Sequence, residues 1–171
     1  MKKVLVINLN QKANSLYELE YIKPITQIIE KENIEFTTIH YSDITEEIIK
    51  NHTHIILSGT PLKEFEYLNH LNKFEFIKST NKQILGICAG CQIIQKIFGA
   101  KENKIEEIGL FKPEILIQDK ILKNEISTGV SILKEIYALH STSFEIPKNF
   151  EIIAKTTIPQ IIKYNNIYGC L

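Results

Sequence analysis

The sequence predicts an α/β protein with a doubly wound, mostly parallel sheet, flanking helices and additional antiparallel strands in the C-terminal half. Short β-branched runs alternate with amphipathic helical patterns as far as Gly99, which gives four strand-to-helix units in succession. Beyond Gly99 the pattern changes to short extended runs with little helix. The chain has 171 residues, of which 44% are hydrophobic, so we expect one substantial core and a single domain over residues 1–171.

The first strand, the helix after it and the second strand have clear local signals. Residues 4–7 form a β-branched run that is typical of a buried parallel strand. The spacing Ser15-x-x-Glu18 is a capping box and predicts a helix, in which Pro24 should introduce a kink or mark the true first turn. The apolar face predicted for this helix consists of Ile22, Ile25, Ile28 and Ile29. Residues 35–39 are predicted as the second strand.

The following units lead toward the centre of the predicted sheet. The spacing Asp43-x-x-Glu46 predicts a capped, brief helix that ends at Lys50. Residues 54–58 are predicted as the third strand. Residues 64–79 have a longer helical pattern and should connect the third strand to the fourth.

The second half of the chain is predicted to be rich in strands. The strands predicted there are residues 112–118, 135–140, 150–156 and 160–164. Tyr164-Asn165-Asn166-Ile167 is a plausible two-residue hairpin turn, because Asn tolerates the left-handed backbone conformation. We interpret these runs as strands added to the same domain.

The segment Gly86-Ile87-Cys88-Ala89-Gly90-Cys91-Gln92 is the centre of the predicted site. It follows the apolar fourth strand at residues 83–87 and opens an amphipathic helix at residues 91–98. Cys88 has glycine at both next-nearest positions, which is the small–nucleophile–small spacing of a nucleophile elbow. Such a turn needs neighbours without bulk, because the backbone of the nucleophile is strained and its side chain must stand clear of the sheet.

The predicted position of Cys88 indicates what it can do. The N-terminus of a helix carries partial positive charge and free N–H groups, which should lower the pKa of Cys88 and favour the reactive thiolate. The same amides can supply half of an oxyanion hole. Both Gly59 and Cys88 fall at the carboxyl ends of predicted strands, where doubly wound sheets bind their ligands. The spacing alone is equally compatible with a small buried residue in a turn, so both interpretations stay open at this point.

Charge and hydropathy exclude several kinds of partner. Lys and Arg together number 20, as do Asp and Glu, so no basic field predicts binding to nucleic acid or to a membrane surface. Only four apolar residues separate Lys3 from Asn8, which is too short for a signal peptide, and no apolar run approaches a membrane span. We therefore expect a cytoplasmic protein with reduced cysteines. The cysteines are Cys88, Cys91 and Cys170.

The residues around the elbow carry a resemblance that covers the whole chain. Residues 86–92, preceded by residues 56–61 and followed by Phe98-Gly99-Ala100, resemble the class I glutamine amidotransferases. These proteins have a flavodoxin-like fold, hydrolyse glutamine at a Cys–His–Glu triad and pass the ammonia to a synthase partner. Residues 137–156 are similar both to the glutaminase part of GMP synthase and to the small subunit of anthranilate synthase.

The resemblance implies a glutamine-hydrolysing subunit, most like that of GMP synthase and therefore active in purine biosynthesis. Its partners would be L-glutamine and a synthase subunit or domain that receives the ammonia. The resemblance implies neither a cofactor nor a metal. The sequence does not identify the acceptor of the ammonia, because the synthase makes that choice.

Site residues are carried over from the family by position. Cys88 would be the nucleophile that attacks the glutamine side-chain carbonyl and forms a γ-glutamyl thioester. Backbone N–H groups of Gly59 and Ala89 would hold the oxyanion. The substrate-binding residues that the resemblance implies are Thr60, Gln92, Ser141 and Thr142. Without the family pattern, Gln92 would be interpreted as a solvent-facing helix residue.

Three positions depart from the family pattern. Residues 167–171 resemble the strand that leads into the family's His-Pro-Glu, but the sequence ends at Leu171, so we expect a chain truncated just short of the His and Glu of the triad. Thr60 stands where a second glycine is usual and can crowd the oxyanion loop, and Cys91 stands where His or Met is usual. We interpret His140 as structural, because the family places its base elsewhere.

Three alternative functions stay open at this point. Cys88-x-x-Cys91 after a strand is also the arrangement of thiol–disulfide oxidoreductases, although such chains carry the motif close to the N-terminus and three strand–helix units precede it here. An elbow cysteine also occurs in DJ-1-like hydrolases and redox sensors. A non-catalytic, glutaminase-like subunit could regulate a synthase. The last two are distinguished from the amidotransferase by whether Cys88 becomes γ-glutamylated.

Overall fold

The computed structural model describes residues 2–103, 105–122 and 135–171. The strands are β1 (Lys3–Asn8), β2 (Glu35–His40), β3 (His54–Leu57), β4 (Gln83–Ile87), β5 (Glu102–Asn103), β6 (Glu107–Phe111), β7 (Glu114–Ile115), β8 (Ile136–His140), β9 (Ser143–Phe144), β10 (Glu151–Lys155), β11 (Pro159–Tyr164) and β12 (Ile167–Cys170). The α-helices are α1 (Glu18–Tyr21), α2 (Lys23–Lys31), α3 (Glu46–Lys50) and α4 (Ala89–Ile97). The 3-10 helices are Tyr41–Asp43, Glu66–Lys78 and Lys120–Leu122.

Eight strands form the main sheet, in the order β2-β1-β3-β4-β12-β11-β10-β7. The strands from β2 to β12 in this order are parallel, and β11, β10 and β7 are each antiparallel to the preceding strand. Two further two-stranded sheets pair β5 with β9 and β6 with β8. The prediction of a mostly parallel sheet with added antiparallel strands in the C-terminal half is confirmed.

Both faces of the parallel part are covered, as in other doubly wound sheets. Alternate side chains of β1 point to opposite faces. Val4 and Val6 pack on one face with Ile29 of α2, whereas Leu5 and Ile7 belong to a larger core on the other face. The buried residues of that larger core are Leu5, Ile7, Leu9, Tyr41, Ile49, Ile55, Leu57, Tyr67, Phe74, Ile77, Ile84, Ala89, Ile93, Ile94, Ile97 and Ile167.

The helical region after β1 differs in part from its prediction. It splits into α1 and α2 with Pro24 in the first turn of α2, so the role predicted for Pro24 is confirmed. The Ser15-x-x-Glu18 capping box is wrong. Within the described residues the buried Ser15 hydroxyl has no hydrogen-bond partner, and the Glu18 carboxylate accepts a hydrogen bond from Asn8 Nδ2 at 2.7 Å. Ile28 is 65% exposed, so its place on the apolar face is wrong as well.

The helix α3 is present, but a different residue caps it. Thr45 precedes its first residue, and Thr45 Oγ1 accepts a hydrogen bond from the Ile48 N–H at 3.2 Å. Asp43 lies instead in the short 3-10 helix that follows β2.

The connection before β4 is a 3-10 segment and not the regular helix predicted at residues 64–79. Glu66–Lys78 is interrupted at His70, which has non-helical backbone angles. The buried Tyr67, Phe74 and Ile77 attach this segment to the core beside α4. Tyr67 thereby comes close to the elbow.

The β6–β8 ribbon was predicted only in part. Residues 135–140 correspond to β8, but of the strand predicted at residues 112–118 only the two residues of β7 join the main sheet. The sequence analysis missed β6 altogether. In the ribbon, Glu107 is paired directly with His140.

The hairpin that leads to β12 is confirmed. Tyr164 pairs with Ile167 across the antiparallel β11–β12 pair, and Asn165 adopts a φ of 52° in the turn. β12 then runs parallel to β4, with Cys170 beside Ile87. In the part of the chain that the structure describes, no helix is long and apolar enough to cross a membrane.

Candidate active site

The turn between β4 and α4 has the geometry of a nucleophile elbow. Cys88 has φ 48° and ψ −103°, a strained conformation for a residue with a side chain. A Cβ built on Gly86 would lie 2.5 Å from the Gly90 carbonyl oxygen, and one on Gly90 would lie 2.5 Å from the Leu57 carbonyl oxygen. The glycines on both sides of Cys88 are therefore required by close backbone contact.

Hydrogen bonds to two neighbouring strands hold the elbow in place. The Cys88 N–H donates to the Cys170 carbonyl at 2.7 Å, and the Gly90 N–H donates to the Ser58 carbonyl at 3.1 Å. The elbow is thus attached to β12 on one side and to the end of β3 on the other. Because the surrounding backbone determines its position, the strain at Cys88 can persist in the folded protein.

The prediction of a lowered pKa for Cys88 is wrong. Burial raises the pKa of the Cys88 thiol, and the hydrogen bond from the Ala89 backbone N–H only partly opposes this shift. The cause of the error is that desolvation of a thiolate depends on tertiary burial, which the local motif does not reveal. At neutral pH the free thiol is the dominant form, so nucleophilic attack requires a base that removes the proton.

The two oxyanion groups predicted from the family lie beside Cys88. The Ala89 N–H is directed at the Cys88 sulfur. A Cβ built on Gly59 would lie 3.6 Å from Cys88 Cβ and 3.3 Å from Tyr21 Cδ1. Gly59 and Ala89 therefore flank the nucleophile from two different strand ends, while the Tyr21 ring covers Gly59.

One small pocket brings Cys88 together with all four residues predicted to bind substrate. Its lining residues are Thr60, Pro61, Leu62, Glu64, Phe65, Tyr67, Cys88, Gln92, Leu139, His140, Ser141 and Thr142. The pocket has a volume of about 20 Å³, which is room for about one water molecule. A glutamine side chain can therefore enter only if part of the rim moves.

Gln92 connects the floor of the pocket to its rim. It is only 4% exposed, so the interpretation of a solvent-facing residue is wrong. Its Oε1 accepts a hydrogen bond from the Tyr67 hydroxyl, and its Nε2 donates to the Thr142 carbonyl at 3.2 Å. Burial, and secondarily the nearby Cys88, raise the pKa of Tyr67 well above its usual range, so Tyr67 remains a hydrogen-bond donor.

Thr60 closes the opposite side of the pocket. Its Oγ1 donates to the Glu64 carbonyl at 3.3 Å and also lies 3.4 Å from the Pro61 carbonyl. The side chain is thus directed back to its own loop. The hydroxyl stabilises the loop that follows Gly59, and its role toward substrate stays a prediction.

Two features of the site had no recognised signal in the sequence. Tyr67 lies in a 3-10 segment whose apolar spacing was interpreted as a regular helix. Glu107 is a single acidic residue in an unpredicted strand, yet it is buried beside His140, with Glu107 Oε2 at 3.4 Å from His140 Nε2. His140 itself lines the pocket, as the residue that precedes Ser141.

Cys91 is placed away from the pocket, in the core. It is 1% exposed, and its S–H donates to Gln95 Oε1 over 3.8 Å. Burial raises the pKa of Cys91 well above the usual value of a thiol. This environment disfavours the thiol–disulfide alternative, which needs an accessible partner thiol of low pKa. In the described ranges 2–103, 105–122 and 135–171, no group of three or more His, Cys, Asp or Glu residues is arranged to hold a metal ion.

Comparison with known proteins identifies the family. Residues 16–170 match the family described as glutamine amidotransferase class-I. The chain therefore belongs to the class I glutamine amidotransferases, and the resemblance noted in the sequence is confirmed.

Individual relatives are GMP synthases. The chain is 34% identical over 157 residues to the glutamine-hydrolysing GMP synthase subunit of Methanosphaera stadtmanae, an alignment that covers 88% of this chain and 80% of that protein. It is also 34% identical over 137 residues to the glutamine-hydrolysing GMP synthase of Wolbachia pipientis, which covers 74% of this chain and 26% of that protein. The chain thus spans about a quarter of the length of the longer relatives.

A solved structure has the same fold. The GMP synthase subunit of Thermoplasma acidophilum superimposes with a TM-score of 0.79 over 99% of this chain and 82% of that chain, at 20% sequence identity. This likeness confirms the doubly wound, flavodoxin-like fold class.

Proposed function

We propose that this chain is the glutamine-hydrolysing part of a GMP synthase-like enzyme, in which Cys88 cleaves the side-chain amide of L-glutamine. The observation that carries the proposal is the strained Cys88 in one pocket with Gln92, Ser141 and Thr142. The relatives support it, because they are named as glutamine-hydrolysing GMP synthases. The proposal treats residues 1–171 as one domain.

The reaction begins with attack of the Cys88 sulfur on the γ-carbonyl carbon of glutamine. The carbonyl oxygen becomes an oxyanion, which the backbone N–H groups of Gly59 and Ala89 stabilise. Collapse of this intermediate breaks the carbon–nitrogen bond, and the amide nitrogen leaves as ammonia after it receives a proton. Water then hydrolyses the γ-glutamyl thioester, so glutamate leaves and Cys88 is regenerated.

A proton carrier is required at two points of this sequence. It removes the proton of the Cys88 thiol, whose pKa is raised by burial, and it delivers a proton to the departing nitrogen. In the family this carrier is a His that follows the strand resembled by β12, and β12 lies directly beside the elbow. The Cys88–Cys170 hydrogen bond attaches that strand to the nucleophile.

The ammonia would be consumed by a synthase partner. Ammonia released into water at neutral pH is protonated and loses its nucleophilicity, so direct transfer to the acceptor is favoured. Ser58, Gly59 and Cys88 meet at the carboxyl-end rim of the parallel sheet. A synthase subunit or domain that covers this rim in the cytoplasm would receive the ammonia and would also exclude water from the site.

Labelling with a glutamine-like electrophile tests the assignment of the site. The chain is treated at neutral pH with a diazo-ketone analogue of glutamine, and the modified residue is mapped by mass spectrometry. We expect the label on Cys88, protection by excess L-glutamine and no label in Cys88→Ser. The matched control Cys91→Ser should be labelled like the natural chain, because Cys91 is buried outside the pocket.

Two outcomes would contradict the proposal. A label found mainly on Cys91 would refute the assignment of the nucleophile. Labelling of Cys88 without protection by L-glutamine would favour a hydrolase or redox protein of the DJ-1 type. A γ-glutamyl adduct on Cys88, seen by intact-mass measurement, separates a catalytic subunit from a regulatory one.

A further inference from the structure

A buried carboxylate next to the pocket has no part in the proposed chemistry. Glu107, the first residue of β6, is only 3% exposed and is paired across the ribbon with His140. A carboxylate at such depth is destabilising unless several donors surround it. Its partners therefore indicate what it holds together.

The donors to Glu107 come from the turn between β10 and β11. The Thr156 hydroxyl lies 2.9 Å and 2.8 Å from the two carboxylate oxygens, the Thr157 N–H donates at 3.0 Å, and Gln160 Nε2 donates at 2.8 Å. On the opposite side, His140 Nε2 lies 3.4 Å from Glu107 Oε2. Glu107 thus joins the β6–β8 ribbon to the main sheet through one compact network.

This network ends at the rim of the pocket. His140 is followed directly by Ser141 and Thr142, which line the pocket with Cys88. The Thr142 carbonyl is held from the other side by Gln92 of α4. The rim is therefore fixed at one end by Glu107 through His140 and at the other end by the helix that carries the nucleophile.

We infer that Glu107 is a positioning residue, which acts through His140 to place the rim residues Ser141 and Thr142 for recognition of glutamine. The inference rests on the proposed function of the site. Glu107 itself does not touch the substrate. Its effect should be confined to recognition of the amino-acid part of glutamine, because the backbone attachments of Cys88 to β12 and β3 do not involve it.

The substitution Glu107→Gln tests this inference with little change in shape. An amide presents an NH₂ group to donors that now face a carboxylate, so part of the network is left unpaired. The measurement compares two labelling rates at Cys88, one with the diazo-ketone analogue of glutamine and one with iodoacetamide, which lacks the amino-acid part. We expect the ratio of analogue rate to iodoacetamide rate to fall about tenfold, with the iodoacetamide rate unchanged within about twofold.

Asp119→Asn is the matched control. Asp119 is a similarly buried carboxylate that accepts hydrogen bonds from Lys163 Nζ at 2.7 Å, the Tyr168 hydroxyl at 2.8 Å and the Ile121 N–H at 3.0 Å. It does not line the pocket. If loss of any buried carboxylate lowered the ratio through general loosening, Asp119→Asn would lower it too, so we expect the ratio of this control to equal that of the natural chain.

The results separate the inference from the proposed function. An unchanged ratio in folded Glu107→Gln, or an equal fall in Asp119→Asn, would overturn the inference. If circular dichroism shows that Glu107→Gln is unfolded, Thr156→Val removes one donor with its shape preserved, and its ratio must then fall in the same direction or the inference is wrong. A natural chain whose Cys88 is not protected from the analogue by L-glutamine would refute the proposed function, and the inference with it.

Discussion

Gly90→Ala should destabilise the protein strongly, because α4 and β3 meet at this residue without space for a side chain. The new Cβ would lie 2.5 Å from the Leu57 carbonyl oxygen, about 0.9 Å closer than the 3.4 Å at which ordinary contact begins. The neighbouring atoms belong to backbone and cannot rotate away. Relief of the clash would also stretch the hydrogen bond from the Gly90 N–H to the Ser58 carbonyl.

The expected loss in the free energy of unfolding is about 3 kcal/mol, the upper part of the range for overpacked cores. For a chain of this length that corresponds to a fall of about 6–12 °C in the melting temperature. Thermal unfolding followed by circular dichroism measures it. Gly59→Ala is the control, because its Cβ would meet Tyr21 Cδ1 at 3.3 Å and Cys88 Cβ at 3.6 Å, and we expect a loss below about 1 kcal/mol. A melting temperature of Gly90→Ala within about 2 °C of the natural chain would refute the close-contact argument.

Three further predictions concern the pocket and the added strands. Tyr67→Phe leaves the buried Gln92 Oε1 without its donor, so urea denaturation should show a loss of about 1–2 kcal/mol, and no loss would mean that water replaces the hydroxyl. Iodoacetamide alkylation of Cys88 should rise with pH through a midpoint above that of an exposed thiol, because burial raises its pKa; a midpoint below neutrality would contradict this. Burial tends to raise the pKa of Asp119, but the hydrogen bond from Lys163 and its other donors lower it to about 2. Its stabilising effect should therefore be complete above the unfolded-state pKa of about 4 and be lost as the pH falls to about 2, a dependence that Asp119→Asn should lack.

The parallel part of the fold was predictable because its signals are local. Buried parallel strands such as β1 and β4 are continuous apolar runs, and the Asn165-Asn166 turn needs a backbone conformation that Asn tolerates. The errors occur where a local signal had a tertiary competitor. The Glu18 carboxylate binds Asn8 of β1 and does not complete a capping box with Ser15, because the strand end offers a buried donor.

The ribbon was harder to predict because its signals contradict the usual pattern. The outward side chains of β6 and β8 are large and apolar, and Leu110 is 71% exposed, while the charged Glu107 points inward. Burial of a charged residue is stable only with partners that arrive from the distant β10–β11 turn. Neither feature can be recognised before the strands are paired.

By itself the sequence determined the class of fold, the elbow and the identity of the nucleophile. Each depends on residues that are neighbours along the chain, and Gly86 and Gly90 mark the elbow wherever the rest of the protein lies. Only the tertiary structure decided the environment of that nucleophile. The raised pKa of Cys88 and the hydrogen bond from Tyr67 to Gln92 depend on groups brought together by folding. The physical reason is that desolvation and hydrogen bonding act over a few ångströms in space, whatever the separation of the residues in sequence.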